Sequence, residues 1–200
     1  MSGDALSRTT SGLSEPIHVV GPALALLELD SIARGILVGD VIVKRAPVAI
    51  ALADPVSPGK YLLLFGGGVA ETEESFKAGI EAAGASLLDK LFLPQAASAL
   101  LDGLRGKLDQ TWGNSFGMVE THSVASTLLA ADSALKRAEV RLRRLHLARG
   151  IGGKGYFVLA GELPMIQVAL EAAASAIEPQ LLLTTEVIQS PHPDIKGRVL

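Results

Sequence analysis

The sequence predicts an α+β fold of two tandem domains, each with the element order β-α-β-β-α-β-α. Three observations support this prediction. Residues 28–46 return as residues 120–138, a shift of 92 positions, with 8 identities in 19 positions and no gap. In both copies the apolar residues of this stretch recur at i, i+4, i+7 and i+11, the spacing of one buried helix face. The segments that follow also come twice in the same order, and a repeat of this length corresponds to a whole domain.

The elements of the first copy follow from local sequence. An apolar run stops at Asp30, and Ser31 then stands where the N-cap of a helix belongs. Pro47 ends this helix, and turn-forming residues at 54–59 separate two further apolar strands. The predicted elements are a strand at 23–29, a helix at 31–46, strands at 48–53 and 60–65, a helix at 69–83, a strand at 87–93 and a short helix at 94–104.

The second copy repeats this order. Its hairpin loop is two residues longer, so the shift becomes 94 positions and Leu87-Leu88 should correspond to Leu181-Leu182. The predicted elements are a strand at 116–120, a helix at 123–138, strands at 140–148 and 154–160, a helix at 163–177, a strand at 180–188 and an irregular end from 191. The resulting organisation is a flexible tail at 1–22, a first domain at 23–104, a linker at 105–115 and a second domain at 116–200.

Composition narrows the classes of function. The chain has no cysteine, which excludes disulfides, thiolate metal sites and cysteine nucleophiles. It has no run of 18 apolar residues to span a membrane, and its net charge of −3 does not suit a nucleic-acid partner. Hydrophobic residues make up 48% of the chain and charged residues only 20%, so we expect other subunits to cover part of its apolar surface.

No phosphate-binding motif has the required spacing. Lys154 follows a glycine-rich loop, but Gly155 stands where a P-loop needs Ser or Thr. Glu71 occupies the third glycine position of the dinucleotide fingerprint that Gly66 would begin. We therefore interpret these glycines as turn and helix-entry residues.

The histidines and the arginine cluster also have simpler interpretations than a site. No pair of histidines has metal-ligand spacing. The four are His18, His122, His146 and His192. Arg141, Arg143 and Arg144 lie on a predicted strand without aromatic partners for base stacking, so we expect a solvated or subunit-facing strand.

The two copies share a further pattern. Each has a strand ending in Glu, a helix of the form Ser-x-Ala…Asp-x-x-x-Lys-x-Ala, a strand, a loop with Gly then Lys at its end, and a strand ending in Gly. This pattern resembles the shell-protein domain of bacterial microcompartments, and two consecutive copies resemble its tandem, trimer-forming class. The resemblance extends over nearly all of residues 23–195. Because each copy begins with strand one and helix one, it resembles the unpermuted arrangement of two ferredoxin-like α/β shell domains.

The resemblance implies a structural protein rather than an enzyme. Three chains would form a flat pseudohexameric trimer with a central pore, and these tiles would join into a semipermeable shell around enzymes in the bacterial cytoplasm. The implied partners are the chain itself, other shell proteins that form hexameric and pentameric tiles, and small polar metabolites, with no nucleic acid and no membrane. Some tandem members bind an iron–sulfur cluster at the pore through cysteine; this chain has none, so no cofactor is expected.

The resemblance also implies positions for two kinds of site. Lys44 and Lys136, at the same helix position in the two copies, would lie at the tile edge, while Gln95 and His192 stand near positions where such domains often carry an edge arginine. The loops before Lys60 and Lys154 would line the pore. The pore-lining residues would be Ser57, Pro58, Gly59, Ile151, Gly152 and Gly153.

Two alternatives remain open at this point. The first is a ferredoxin-like small-molecule-binding or regulatory protein that forms oligomers without tiling. The second is an enzyme that uses the interface between the two copies. Whether the purified protein forms sheets or tubes, or only discrete trimers, would separate the first alternative from a shell tile.

Overall fold

Each half of the chain contains one four-stranded antiparallel sheet with helices on one face. The computed structural model describes residues 17–109, 111 and 113–196. The first domain contains β1 (Ala23–Leu29), α1 (Ile32–Arg45), β2 (Ala49–Val56), β3 (Lys60–Gly67), α2 (Val69–Ala83), β4 (Leu87–Leu93) and α3 (Ser98–Leu104). The second contains β5 (Ser115–Thr121), α4 (Val124–Arg137), β6 (Arg141–Leu147), β7 (Gly155–Gly161), α5 (Leu163–Ala176), β8 (Leu182–Gln189) and α6 (Pro193–Lys196). The predicted α+β fold of two tandem domains is confirmed.

The sheets have the strand orders β2-β3-β1-β4 and β6-β7-β5-β8. β1 therefore lies between two partners, and both of its faces are buried. Leu27 packs with Val38 of α1 among the helices of its own domain. Leu26, on the opposite face, belongs to a core that continues into the second domain through Leu128 of α4. Burial on both faces explains why the sequence of β1 is apolar at every position except Glu28 instead of alternating.

The first helix of each domain begins at the predicted serine. The Arg34 backbone N–H donates to Ser31 Oγ over 3.3 Å, and that of Ser126 donates to Ser123 Oγ over 3.1 Å. These contacts satisfy one of the free amides at each helix start. The caps are local features, which is why the sequence pattern was sufficient to locate them.

The correspondence between the two domains shifts near the last strand. Leu29 pairs with Leu87, and its counterpart Thr121 pairs with Leu182. The strands β4 and β8 are thus related by 95 positions rather than 94, and the predicted match of Leu87-Leu88 with Leu181-Leu182 is wrong by one residue. The extra residue lies between the end of α5 and the 3₁₀ turn Pro179–Leu181.

The chain ends depart from the predicted irregular segments. Ile17 and Val19 are buried, the Ile17 N–H donates to Leu104 O over 3.0 Å, and Arg105 Nη2 donates to Val19 O over 3.1 Å. The predicted flexible tail therefore does not include residues from 17 onward; its remainder, residues 1–16, lies outside the described residues. Near the other end, α6 forms within the segment predicted to be irregular.

Arg143 anchors the connection between the domains. It lies at an irregularity of the β6–β7 ladder between Leu142 and Arg144, and only 1% of it is exposed. Its Nη1 donates to Asp109 O over 2.6 Å and to Thr111 O over 2.9 Å. The expectation of a solvated or subunit-facing side chain is therefore wrong for Arg143, because the bulge turns it inward under the linker.

Candidate functional site

The two domains meet where the N-terminus of α4 lies on the first sheet. The Ala125 N–H donates to Glu28 Oε1 over 2.7 Å, and Lys60 Nζ lies 3.2 Å from Glu28 Oε2. The Glu28 side chain is fully buried. Burial raises the pKa of Glu28, although the charge of Lys60 and the Ala125 hydrogen bond oppose the rise. We call the contact between α4 and this sheet face the domain junction.

A second carboxylate fixes the same helix end. Ser123 Oγ donates to Asp89 Oδ2, and Ser126 Oγ lies 3.3 Å from the same oxygen. Asp89 pairs with Glu28 across the β1–β4 ladder, so the two acidic side chains stand side by side beneath the start of α4. Negative charge is favoured at a helix N-terminus, where backbone N–H groups are free.

The other end of α4 is held by a pair of charged residues one turn apart. Asp132 Oδ1 accepts a hydrogen bond of 2.7 Å from the Ala97 N–H, before α3. Lys136 Nζ lies 2.6 Å from Asp132 Oδ2 and donates to Gln95 O over 2.6 Å. The segment that leads from β4 into α3 is therefore bound to α4 at two points.

An apolar layer fills the junction between these polar contacts. We call the sheet face that points away from its own helices the outer face. On the first sheet, the outer-face leucines are buried together with residues of α4 and β6 in one continuous core. The outer-face residues are Leu24, Leu26, Leu62, Leu64, Leu91 and Leu93, and the opposing residues are Val124, Leu128, Ala131, Leu142 and Leu145.

The matching helix of the first domain has no such cover in the single chain. Ile36 is 61% exposed, whereas its counterpart Leu128 is fully buried. The other large apolar residues of α1 and β2 that are exposed are Ile32, Leu37, Val43 and Ile50. The face that α4 uses to bind the first sheet is thus repeated on α1 and left open.

The outer face of the second sheet is partly open, since Met118, Glu120 and Tyr156 on it are only half-buried. Phe116, Val158 and Ala160 form a small separate apolar cluster, against which Met118 and Tyr156 pack. A cleft of about 470 Å³ lies over this face, with Glu120, Arg144 and Glu186 among its lining residues. Met118 and Tyr156 correspond to Leu26 and Leu62, which the junction covers in the first domain.

The two hairpin loops predicted to line a pore lie next to each other. A Cβ placed on Gly153 would be 3.1 Å from Ser57 O and 3.2 Å from Pro58 Cδ. Arg149 Nη2 also forms an ion pair with Asp54 Oδ2, which links the two hairpins across the domain boundary. Ser57, Pro58, Gly59 and Gly152 are exposed, Ile151 is half-buried and Gly153 is buried.

A Lys–Glu pair flanks each loop and was not singled out from the sequence. Lys60 pairs with Glu28 over 3.2 Å, and Lys154 pairs with Glu120 over 3.1 Å. Glu28 is covered by α4, whereas the side chain of Glu120 remains 34% exposed. The signal was present, because all four residues coincide when the two copies are superposed.

The two lysines predicted to lie at a tile edge occupy equivalent positions near the ends of α1 and α4. Lys44 Nζ lies 2.6 Å from Asp40 Oδ2, as Lys136 does from Asp132. Lys44 is 72% exposed at its side chain and Lys136 is 48% exposed. An ammonium group has three donors, so both lysines retain capacity for a further acceptor.

The described part of the chain offers neither a metal-binding cluster nor a membrane-spanning helix. Within residues 17–109, 111 and 113–196, no three His, Asp or Glu side chains are grouped closely enough to hold a metal ion. None of the helices in this described part of the chain combines the length and the apolar character needed to cross a bilayer.

The sequence profile of the BMC domain matches residues 23–96 and 115–191. The chain therefore belongs to the BMC-domain family, whose domain it carries twice. Members of this family are structural shell proteins of bacterial microcompartments, so the prediction of a non-enzymatic shell protein is confirmed by family membership.

The relatives are consistent with this family. The chain is 40% identical over 171 residues to the bacterial microcompartment shell protein PduT of Citrobacter freundii, an alignment that covers 85% of this chain and 93% of that protein. It is 33% identical over 92 residues to the carboxysome shell protein CsoS1 of Prochlorococcus marinus, which covers 44% of this chain and 85% of that protein. The second relative matches a length close to that of one domain.

Two solved structures are similar in fold to this chain. A microcompartment protein from Desulfitobacterium hafniense superposes with a TM-score of 0.78 and 36% identity, and covers 88% of this chain and 98% of that one. A fused permuted hexameric shell protein superposes with a TM-score of 0.56 and 20% identity, covering 76% of this chain and 79% of the other. The latter likeness concerns the fold alone.

Proposed function

We propose that this chain forms a homotrimeric tile of a microcompartment shell, in which six domains surround a central pore. The observation that supports this proposal is the pair of open faces described above. α1 presents the surface that α4 uses in the domain junction, and the second sheet presents an outer face like the one that α4 covers. A second copy of the chain can therefore place its α1 on this outer face and repeat the junction between chains.

Repetition of one head-to-tail contact produces a ring when the rotation closes. In a ring of six domains, each junction relates neighbouring domains by one sixth of a turn. Because each chain supplies two domains, three chains close the ring. Such a ring covers the apolar residues of α1 in every chain, together with the cleft over the second sheet. This accounts for the apolar surplus that the composition indicated.

The polar residues fit the same contact. Ala33 corresponds to Ala125, so its N–H is positioned to donate to Glu120 of the neighbouring chain, as Ala125 donates to Glu28. Arg34 corresponds to Ser126. Thr184 corresponds to Asp89, because Thr184 pairs with Glu120 in the second sheet as Asp89 pairs with Glu28 in the first. Arg34 would then approach Glu186, which lies two residues along the same strand. The junction between chains thus exchanges a Ser–Asp contact for an Arg–Glu contact.

The two loops would alternate around the pore. Ser57, Pro58 and Gly59 from one domain would be followed by Ile151, Gly152 and Gly153 from the next, which gives three-fold symmetry. Gly59, Gly152 and Gly153 have φ values of +113°, +69° and +78°, a conformation that suits glycine. The amides of Gly59 and Gly153 donate within their own loops to Val56 O and Ala148 O. The donors proposed for a solute are therefore the Gly152 amide and the Ser57 hydroxyl, which suit a small polar or anionic metabolite.

Lys44 and Lys136 are proposed to join tiles at their edges. Each lysine would place its apolar stem along the neighbouring tile and its ammonium group against backbone carbonyls there. The contact would recur six times per trimer, and repetition allows a weak contact to hold a sheet together. Hexameric and pentameric tiles of other shell proteins are proposed as further neighbours.

The mass of the purified protein tests the ring. Light scattering on a fraction free of larger assemblies should give three times the chain mass of 20.8 kDa. A stable monomer or dimer would contradict the proposal. Electron microscopy of the same protein then separates a shell tile, which forms sheets or tubes, from a small-molecule-binding oligomer, which remains as discrete trimers with an accessible ligand site.

A further inference from the structure

We infer that the segment from His192 to the end of the printed sequence binds, in each chain, to the groove between α1 and β2 of the next chain. The inference rests on the proposed ring. The groove has a volume of about 220 Å³ and is lined by Ile36, Asp40, Val43, Ile50 and other residues of the first domain. The side chains of Ile36, Val43 and Ile50 are exposed in the single chain.

The second domain shows what fills this groove. There, α3 lies against α4 and β6, and Leu100 and Leu104 of α3 are fully buried in the shared core. The approach is close, because a Cβ placed on Gly103 would be 2.6 Å from Leu142 Cδ2. Leu142 corresponds to Ile50. The groove on α4 is therefore occupied by the helix that follows the edge strand β4.

The helix that follows the corresponding edge strand β8 is α6. Its first turn repeats that of α3, since Leu100 N donates to Ala97 O and Ile195 N donates to His192 O, each over 3.0 Å. Ile195 thus corresponds to Leu100, at a shift of 95 positions. Ile195 is 43% exposed and lies apart from any core, unlike Leu100. In the printed sequence Val199 stands at the position of Leu104, and its structure lies outside the described residues.

A polar contact accompanies the apolar one. Asp132 accepts the Ala97 N–H at the start of α3. Asp40 holds the same position on α1 and keeps the same internal pair with Lys44. His192 corresponds to Ala97, so its backbone N–H is placed to donate to Asp40 of the neighbouring chain. The groove and residues 192–195 of the segment are both exposed in the single chain, and α3 already occupies the other groove, so the occupant comes from a second copy.

Substitution of Ile195 tests the assignment. Ile195→Asp should raise the monomer–trimer dissociation midpoint by about tenfold or more, because a charge would enter an apolar groove. Leu88→Asp is the matched control, since Leu88 is 50% exposed and its counterpart Leu183 is 38% exposed. The junction within the chain covers one of the two equivalent positions wherever that position takes part in the contact. A position that is exposed in both domains therefore lies outside the contact. Sedimentation equilibrium over a dilution series measures the midpoints, and far-UV circular dichroism confirms the fold of each variant.

A double-mutant cycle separates direct contact from an indirect loss of stability. Ile195→Ala and Val43→Ala should each weaken the trimer, and the double variant should be weakened by clearly less than the product of the two factors. Ile195→Ala combined with Leu88→Ala should give the simple product. Equal midpoints for Ile195→Asp and Leu88→Asp, or a simple product in the first cycle, would overturn the inference while the ring stands. A wild-type chain that forms no trimer would instead refute the ring itself.

Discussion

The backbone N–H of Ala125 donates to the carboxylate of Glu28 across 2.7 Å, which joins the helix start of one domain to the central strand of the other. The same carboxylate pairs with Lys60 and is fully buried. One side chain thus connects a strand, a helix of the other domain and the lysine that ends a hairpin loop.

The stability of the chain should depend on the protonation of Glu28. Burial raises the pKa of Glu28 above its ordinary value of 4.5, so the native carboxyl holds a proton at pH values where the unfolded one has lost it. The free energy of unfolding should therefore fall as the pH rises from about 4.5 through the native pKa, and be level above it. Glu28→Gln should remove this part of the pH dependence.

Urea denaturation at a series of pH values measures this effect. Glu81→Gln, on an exposed position of α2, is the matched control and should keep the wild-type slope. If Glu28→Gln retained the slope as well, another group would be responsible for it.

Gly35→Ala should destabilise the first domain. The added Cβ would lie 2.2 Å from Tyr61 Cδ1, so the helix or the ring must move, at a cost of about 1–3 kcal/mol. The second domain reverses this pair, with Thr127 against Gly155. Gly39→Ala, one turn later, is the control: its Cβ would make an ordinary contact of 3.4 Å with Leu63 Cδ2, and the second domain has Ala131 there. We expect Gly39→Ala to be neutral or to stabilise by up to about 1 kcal/mol, and equal effects in urea denaturation would contradict this account.

Arg143→Met should release the linker. The variant loses two hydrogen bonds to the carbonyls of Asp109 and Thr111 in a buried position, which should lower the free energy of unfolding by about 1–3 kcal/mol. Hydrogen exchange should increase near Asp109 and Thr111, whose carbonyls the guanidinium group binds in the wild type. Arg141→Met changes a side chain that is 43% exposed and should leave both measurements close to wild type. A rise in exchange spread evenly over the chain would argue for general destabilisation instead.

Bulky residues in the hairpin loops should obstruct the proposed pore. Ser57→Trp and Ile151→Trp should slow the passage of a small anionic solute through an assembled shell by on the order of tenfold, because three copies of each indole side chain would enter the opening. Gly152 is a poorer choice, since its φ of +69° makes any larger residue strained. Leu88→Trp adds the same bulk elsewhere and should leave the flux unchanged. Unaltered flux in the loop variants, with trimers intact, would mean that the pore is closed or lies elsewhere.

Replacement of both edge lysines should abolish sheets. Lys44→Ala with Lys136→Ala removes the proposed contact between tiles, and electron micrographs should show trimers without sheets. Lys136 also donates to Gln95 O within the chain, but a half-exposed contact of this kind contributes only about 1 kcal/mol or less, so the trimer should persist. Lys77→Ala is the control, because Lys77 forms a similar i,i+4 pair with Glu73 over 2.7 Å. Sheets that survived while the trimer dissociated would place these lysines in the ring contact.

The sequence was sufficient for features with a local cause. Ser31 and Ser123 could be recognised as caps because the acceptor and the amide that it satisfies lie three residues apart. The repeat itself identified the domains, and the largely apolar run at 23–29 indicated a strand. Each of these depends on neighbours along the chain.

Features that depend on distant partners were not predictable in this way. Ile17 is buried because Leu104 lies beside it, far along the sequence, so its segment looked like part of a tail. Arg143 could not be told apart from Arg141 and Arg144 in the sequence, because the bulge in β6 that turns it inward is not visible there. Ile36 and Leu128 are both apolar residues at one helix position, and only the structure shows that one is covered and the other is open.

The covalent link between the domains changes how a ring of six domains would assemble. Glu28 meets Ala125 within one molecule, so this junction forms as the chain folds, at any protein concentration. Six separate domains would need six junctions between molecules, whereas three chains need three. The formation of half of the junctions would therefore depend on the effective concentration that the linker imposes. Only the other half would depend on encounters between chains in solution. Because the halves are fused, alternation of the two kinds of domain is also independent of how much of each the cell makes.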